Sequence, residues 1–391
     1  MIRERTYLDW NATAPLRPAA REAMLAALDV VGNPSSVHAE GRKARALIED
    51  AREAIARRLC VRPADVSFTS GATEGAAWVL TPNTARRNHR TAIATLLVGA
   101  TEHACMLQGH RFPAERVETL GVDAHGTLDL GALESRLADL TSRHGEAGIM
   151  VAVQAANNET GVLQPTRDIA ALTRAAGVVL VCDAVQLAGR APCDADMIGA
   201  DVLILSSHKL GGPKGVGAVV LVGDRVQPEP LIRGGGQERR QRSGTENVAG
   251  VAGFAAAFDA AMAETDAFAG RAADLQRRLE AGLRAIRSDT VVFGEGAPRL
   301  PNTTCFAVPG MAAEMALIAL DLDGVAISSG SACSSGKVAR SHVLDAMGVD
   351  AALAKGAIRV STGPATIAAD VDAFLSGWTK INSRPAARKV A

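Results

Sequence analysis

The chain lacks an excess of either charge: 42 Lys and Arg stand against 42 Asp and Glu in 391 residues. With no net field to attract polyanions, nucleic acid is a poor fit as the main ligand. Long apolar runs are missing too. The stretches over 92–100 and 248–263 are too short, or too broken by polar residues, to span a bilayer. The second is expected to be an Ala/Gly-rich helix packed inside the protein. The segment from Met1 to Trp10 is charged and then strand-like, with no apolar signal-peptide core. Clustered cysteines are absent as well. The six, at 60, 105, 182, 193, 305 and 333, form no CxxC, so no zinc or iron–sulfur site of neighbouring cysteines is expected. They read as reduced thiols of a cytoplasmic protein, with neither membrane nor nucleic acid among its partners. There is no repeat and no low-complexity linker, and the basic tail from Ser383 is expected to fray.

What is present suits a globular protein of two or three domains: 48 % hydrophobic and 21 % charged residues over 391 positions. A strong amphipathic helix is predicted over 36–60, with Leu47, Ile48, Ala51, Ile55 and Leu59 on one face. Strands are predicted over 66–69, 149–154, 178–183, 202–206 and 217–222. Their near-continuous apolar composition suits a sheet covered on both faces. A helix over 167–176, closed by Gly177, lies between two of them. The fold class is therefore α/β, with a mostly parallel sheet. Beyond about 262 the texture changes to a long charged helix (264–288), strands over 291–293, 304–308, 325–328 and 357–361, and helices over 312–322 and 367–381. This reads as a smaller α+β domain of 1–14 with 263–391, beside a large domain of 15–262.

Ligands of open α/β sheets bind beyond the carboxyl ends of the strands. The sequence loads those positions. After 66–69 comes Ser70-Gly-Ala-Thr-Glu74 at a helix start, which suits a phosphate cradle but is also an ordinary strand–turn–helix. After 149–154 comes Ala156-Asn-Asn-Glu-Thr-Gly161, either ligand-binding amides or an Asx turn. After 178–182 comes Asp183-Ala-Val-Gln186. A carboxylate there needs a cation, such as a protonated pyridine nitrogen, or caps a helix. After 202–205 comes Ser206-Ser-His-Lys209 with a Gly-rich turn that is not a Walker loop. Lys209 is a candidate nucleophile for carbonyls, or a plain surface lysine. Taken together, a cradle, an acid and a lysine at successive strand ends are what pyridoxal phosphate needs.

Over nearly its whole length the sequence resembles the cysteine desulfurases, a branch of the class V, fold-type I pyridoxal-phosphate enzymes. The resemblance rests on Tyr7-Leu-Asp-Trp-Asn-Ala-Thr-Ala-Pro15, Gly32-Asn-Pro-Ser-Ser36, Thr69-Ser-Gly-Ala-Thr-Glu74, Thr101-Glu-His103 and Asn157-Asn-Glu-Thr-Gly161. It continues through Ser206-Ser-His-Lys209, Arg242-Ser-Gly-Thr245, Ser328-Ser-Gly-Ser-Ala-Cys333 and Ile358-Arg-Val-Ser361. It implies that Lys209 carries pyridoxal 5′-phosphate as a Schiff base and moves protons. Asp183 would pair with the pyridinium, and His103 would stack on the ring and serve as acid or base. Asn158 and Gln186 would bond the ring-hydroxyl side. Ala72, Thr73, Ser206 and His208 would bind the phosphate, with Thr245 from the other subunit of a homodimer. Asn33 and Arg359 would hold the carboxylate of L-cysteine, and Cys333 would take its sulfur on a loop over 328–337 expected to be mobile. No resident metal is implied, Cys333 being at most a transient iron–sulfur ligand. The sulfur would pass to an acceptor or iron–sulfur scaffold protein.

The resemblance departs at Trp10 and Ala14 and in a short C-terminus, which puts one mode of scaffold docking in doubt. Cys182 is expected in a buried strand, and Cys105 is expected to face away from the ring. Other enzymes of the scaffold (selenocysteine lyase, kynureninase, aminotransferase) lack the full Cys333 loop. A silent scaffold protein would lack Lys209, His103 or Cys333.

Overall fold

Successive side chains of a strand face opposite ways, so a strand covered on both sides must be apolar throughout. In the computed structural model, which describes residues 5–86, 92–144, 148–330 and 340–383, such runs build a seven-stranded sheet. Its strands are β1 (Val66–Thr69), β2 (Thr95–Gly99), β3 (Val117–Leu120), β4 (Ile149–Gln154), β5 (Val179–Asp183), β6 (Val202–Ser206) and β7 (Gly217–Leu221). The order is β3-β2-β4-β5-β6-β7-β1. All neighbours are parallel except β7, which runs antiparallel to β6 and β1. Period-two alternation divides the core. Val151, Val153, Leu180, Leu203 and Leu205 meet the helix layer that includes Ile48, Ile55, Phe254 and Phe258. Met150, Ala152, Val179, Val181 and Ile204 meet Trp78, Val79, Met106 and Phe112 on the other face.

The predicted helix over 36–60 is Ala39–Leu59. It starts late because Ser36 closes a turn on the Asn33 carbonyl, and His38 accepts the Gly41 amide as the cap. The apolar run over 92–100, weighed above only against a membrane span, holds β2. The edge strand β3 and the helices Pro18–Leu28 and Leu130–His144 carried no sequence expectation. Among the described residues no single helix is long and apolar enough to cross a membrane.

A second, four-stranded antiparallel sheet comprises β8 (Val291–Val292), β9 (Thr303–Ala307), β10 (Ser328–Ser329) and β11 (Ile358–Ser361), in the order β8-β9-β11-β10. Helices Thr265–Ile286, Ala313–Leu322 and Ala368–Ser383 cover it. Phe306 meets Trp378 edge-on at 5.3 Å in that core. The predicted strand over 325–328 divides. Val325–Ala326 pairs with Thr6–Tyr7, then Ile327 packs on the core and Ser328–Ser329 switches to β11. The N-terminal segment thus begins in the small unit and then crosses to the large one.

One buried ion pair fixes the loop after the large sheet. Arg52 donates from Nη1 and Nη2 to both Glu238 oxygens at 2.8 and 2.9 Å, and Glu238 also accepts the Phe68 amide. Glu238, Arg239 and Arg240 all sit at positive φ, a conformation that costs free energy without such an anchor. Replacing Arg52 by Met leaves the Glu238 charge buried and uncompensated. The variant is expected to lose about 3–5 kcal/mol in urea unfolding. A loss below about 1 kcal/mol would show that the pair does not hold the loop.

Candidate active site

The carboxyl ends of β1, β2, β4, β5 and β6 share one edge of the large sheet, and a cavity of about 560 Å³ opens there. Ala72 and Thr73 open the helix after β1 and line it, at the end where first-turn amides have no partners within the helix. Gly217 starts β7 beside them. A Cβ there would meet Leu205 O at 2.6 Å and Gly71 Cα at 2.7 Å, so a side chain would force β6 and the Gly71 turn apart.

Asp183 ends β5, nearly buried. Burial raises its pKa to about 6, against the pull of the Val185 amide, which donates to Oδ1 at 2.9 Å, and of Lys209. Gln186 donates from Nε2 to the Asn11 carbonyl at 3.1 Å, while its buried Oε1 has no hydrogen-bond partner among the described residues. Ser206 ends β6. His208 and Lys209 form the turn after it, and all three line the cavity. Lys209 Nζ donates to the carbonyls of Asn11 and Ala12 at 2.8 and 2.9 Å. His208 Nδ1 lies 3.2 Å from Thr13 Oγ1. Burial, then Lys209, Lys214 and Arg190, lower its pKa to about 4, so the ring is neutral.

His103 follows β2 and caps the one-turn helix Ala104–Leu107, its Nδ1 accepting the Cys105 amide at 3.1 Å. That bond assigns the neutral ring's proton to Nε2. Burial, then Lys209 and His342, lower the pKa of His103. Cys105, expected to face away from the ring, is among the residues lining the same cavity and also belongs to the buried core cluster with Trp78 and Met106. Asn158 follows β4 and lines the cavity, and its carbonyl accepts Asn11 Nδ2 at 3.2 Å and Arg359 Nη1 at 3.0 Å.

Three expected residues stand apart from these. Arg359 is buried, pairs with Asp9 through Nη2 at 2.7 Å, has no partner for Nε among the described residues, and is not among the described residues bounding the cavity. Asn33 and Thr245 are exposed and also do not line it. Their segments neighbour each other, since Gln237 donates to Ser35 Oγ at 3.4 Å and accepts the Gly244 amide at 3.3 Å. Cys333, with 331–339, lies outside the described residues.

Two residues at the site had no role in the sequence reading. Asn11 is buried where the N-terminal segment meets Lys209 and Gln186. Arg190 is a buried cation that donates to the Gln186 and Lys209 carbonyls at 2.9 Å each. The signal for Arg190 was a lone charge in the stretch from Ala184 to Pro192, where Gln186 is the one other polar side chain.

The cavity fits pyridoxal 5′-phosphate on its own chemistry. The orphaned Gln186 Oε1 suits a ring-hydroxyl donor, the buried Asp183 carboxylate suits a ring N–H, and Lys209 lies within the same walls. A fold of this kind, with a lysine and an acid at adjacent strand ends, defines a pyridoxal-phosphate enzyme. The aminotransferase class-V sequence profile matches residues 6–374. An IscS-like cysteine desulfurase of Mycobacterium tuberculosis is 40 % identical over 384 residues, 94 % of each chain. The cysteine desulfurase IscS of Dictyoglomus turgidum is 36 % identical over 393 residues, 97 % of this chain and 95 % of that one. The X-ray structure of a NifS-like protein from Rickettsia africae matches with a TM-score of 0.87 at 32 % identity, covering 97 % of this chain and 99 % of that one. The chain belongs to the class-V aminotransferase family, in its cysteine desulfurase branch.

A buried carboxylate whose pKa is raised destabilises the fold as pH rises through the window from its ordinary value, near 4, to about 6. Asp183→Asn is therefore expected to make the apoprotein more stable at pH 7, by on the order of 2 kcal/mol. The gain should vanish near pH 4, while pyridoxal 5′-phosphate binds at least about tenfold more weakly. Thermal unfolding across pH, with cofactor titration, checks both. An apoprotein destabilised at pH 7 would contradict the electrostatic reading.

Proposed function

We propose that this chain desulfurates L-cysteine, releasing L-alanine and leaving the sulfur as a persulfide on Cys333, for delivery to an acceptor or iron–sulfur scaffold protein in the cytoplasm. The observation that carries the reading is the meeting of Lys209, Asp183, His103 and the unpartnered Gln186 Oε1 at one sheet edge. Bound there, pyridoxal 5′-phosphate supplies the electron sink that makes the Cα proton of cysteine acidic. Lys209 would hold the cofactor and would move the Cα proton of the substrate. Asp183 keeps the ring nitrogen protonated. His103, whose Nδ1 accepts the Cys105 amide, would cover the ring and exchange a proton with the substrate through Nε2. Asn158 and Gln186 orient the ring hydroxyl. Ala72, Thr73, Ser206 and His208 cradle the phosphate, the neutral His208 as a hydrogen-bonding group rather than a charge. Arg359 sits beside Asn158 to receive the substrate carboxylate. The Cys333 thiolate then attacks the substrate sulfur. The S–S bond forms as the C–S bond breaks, and the electron pair left on carbon is protonated to give alanine.

The working unit in this reading is a homodimer. Asn33 and Thr245 are exposed, lie on segments bridged by Gln237 and are not among the residues lining their own cavity, which supports their serving a partner subunit's site. The exposed apolar residues Val31, Val37, Leu231 and Ile232 near them suit a covered face. The division into a large unit of 15–262 and a small unit of 1–14 with 263–391 draws support from the 68° bend between Val248–Ala263 and Thr265–Ile286.

Treatment with L-cysteine followed by tryptic mapping is expected to place one added sulfur, about 32 Da, on Cys333. Cys333→Ser should keep the yellow colour and bind cysteine yet yield neither alanine nor adduct. Near wild-type desulfuration by that variant, or an adduct on Cys105 instead, would contradict the proposal. Arg359→Lys keeps the charge but loses the planar fork. It should raise the cysteine KM by roughly 10- to 100-fold with cofactor affinity little changed. An unchanged KM would make Arg359 structural.

A further inference from the structure

Asn157 shapes a tight turn, its Oδ1 accepting the amides of Glu159 and Thr160 at 2.9 Å each. The turn presents Asn158 to the cavity and sends Glu159 the other way, into the protein, where it is 4 % exposed. There the Glu159 carboxylate meets two further segments. Ser341 Oγ donates to its Oε2 at 2.6 Å and itself accepts the Leu344 amide at 3.1 Å, capping the helix His342–Ala346. Gly330 packs its bare face on the same oxygen, since a Cβ there would lie 3.0 Å from Oε2. In the sequence, Gly330 and Ser341 stand on either side of Cys333. Among the described residues, the charged and titratable groups that face Glu159 are Arg359 from β11 and Cys305 from β9.

A buried carboxylate costs free energy that an amide or apolar residue would not, and the desulfuration chemistry has no use for this one. We propose that Glu159 is a positioning residue for sulfur transfer, its carboxylate holding Gly330 and Ser341, the flanks of Cys333, against the turn that carries Asn158. The proposal rests on the reading of Cys333 as sulfur acceptor. Geometry gives the link its direction, with one end of a rigid turn in the cofactor cavity and the other on the chain that leads to and from the thiol. Burial pushes Glu159 up to about 7, against Ser341 and Arg359. The charged carboxylate, the stronger acceptor for Ser341, therefore gains population as pH rises through neutrality.

The test mixes cofactor-loaded protein with L-cysteine and follows two signals: the change in cofactor absorbance, and the sulfur adduct on Cys333 after acid quench. Glu159→Gln is expected to slow adduct formation about tenfold, the scale of a lost charge-assisted hydrogen bond, while the absorbance change stays within about twofold. The pH profile of adduct formation should lose the wild-type rise near 7. Ser341→Ala should slow the adduct at least about threefold, and the double variant should be no slower than Glu159→Gln, because both remove one interaction. If Glu159→Gln does not fold, Ser341→Ala decides by the same two signals. An unchanged adduct rate, additive losses, or equal slowing of both signals would overturn the proposal. A wild-type protein that forms no adduct on Cys333 would overturn the desulfurase reading and this inference with it.

Discussion

Asn11 is the point through which the two sheets are held in register at the site. Its amide donates to Ser361 Oγ at the end of β11, and its Nδ2 donates to Thr303 Oγ1 in β9 and to the Asn158 carbonyl after β4. Its Oδ1 accepts from Asn302, and its backbone carbonyl accepts from both Gln186 and Lys209. A buried amide that loses partners costs on the order of 1–3 kcal/mol for each group left unsatisfied. The segments after β4, β5 and β6 are therefore tied to the small sheet through one residue. The N-terminal strand, paired with Val325–Ala326, places that residue, so the site depends on the small unit even where the cavity wall belongs to the large one.

Around that joint the electrostatics are arranged against neutral folding economy. Asp183 is pushed up by burial, and burial followed by the nearby Asp183 charge pushes Glu102 well above its ordinary value. Arg190 is wholly buried with carbonyl partners, its pKa lowered to about 10 by burial and then by Arg359. His103 and His208 are held neutral by burial and nearby cations. Such a cluster is costly in a fold selected for stability alone and is typical of a site selected for chemistry.

Much of this was legible before the structure. Near-continuous apolar strands force a covered sheet, and the carboxyl edge of such a sheet concentrates function. The positions just beyond the strand ends pointed to the segments 70–74, 156–161, 183–186 and 206–209, and the resemblance to cysteine desulfurases singled out within them Ala72, Thr73, Asn158, Asp183, Gln186, Ser206, His208 and Lys209, all of which line one cavity. The parts that were not legible depend on contacts distant in sequence. Nothing local marks Asn11 as the partner of Ser361 and Thr303, some 290–350 positions away. Nothing local shows that Arg359 is already paired with Asp9. The division of 325–328 into two strands also arises from its partners, the N-terminal strand and β11, and not from its own composition.

The central claim is that Lys209, held on the Asn11 and Ala12 carbonyls at the edge of β6, is the residue that carries the cofactor. Lys214 lines the same cavity and is the competing amine. Borohydride reduction of the pyridoxal-phosphate-loaded protein, with peptide mapping, distinguishes them directly. The account predicts the reduced cofactor on the peptide containing Lys209. Recovery of the label on Lys214, or on neither lysine, would contradict it.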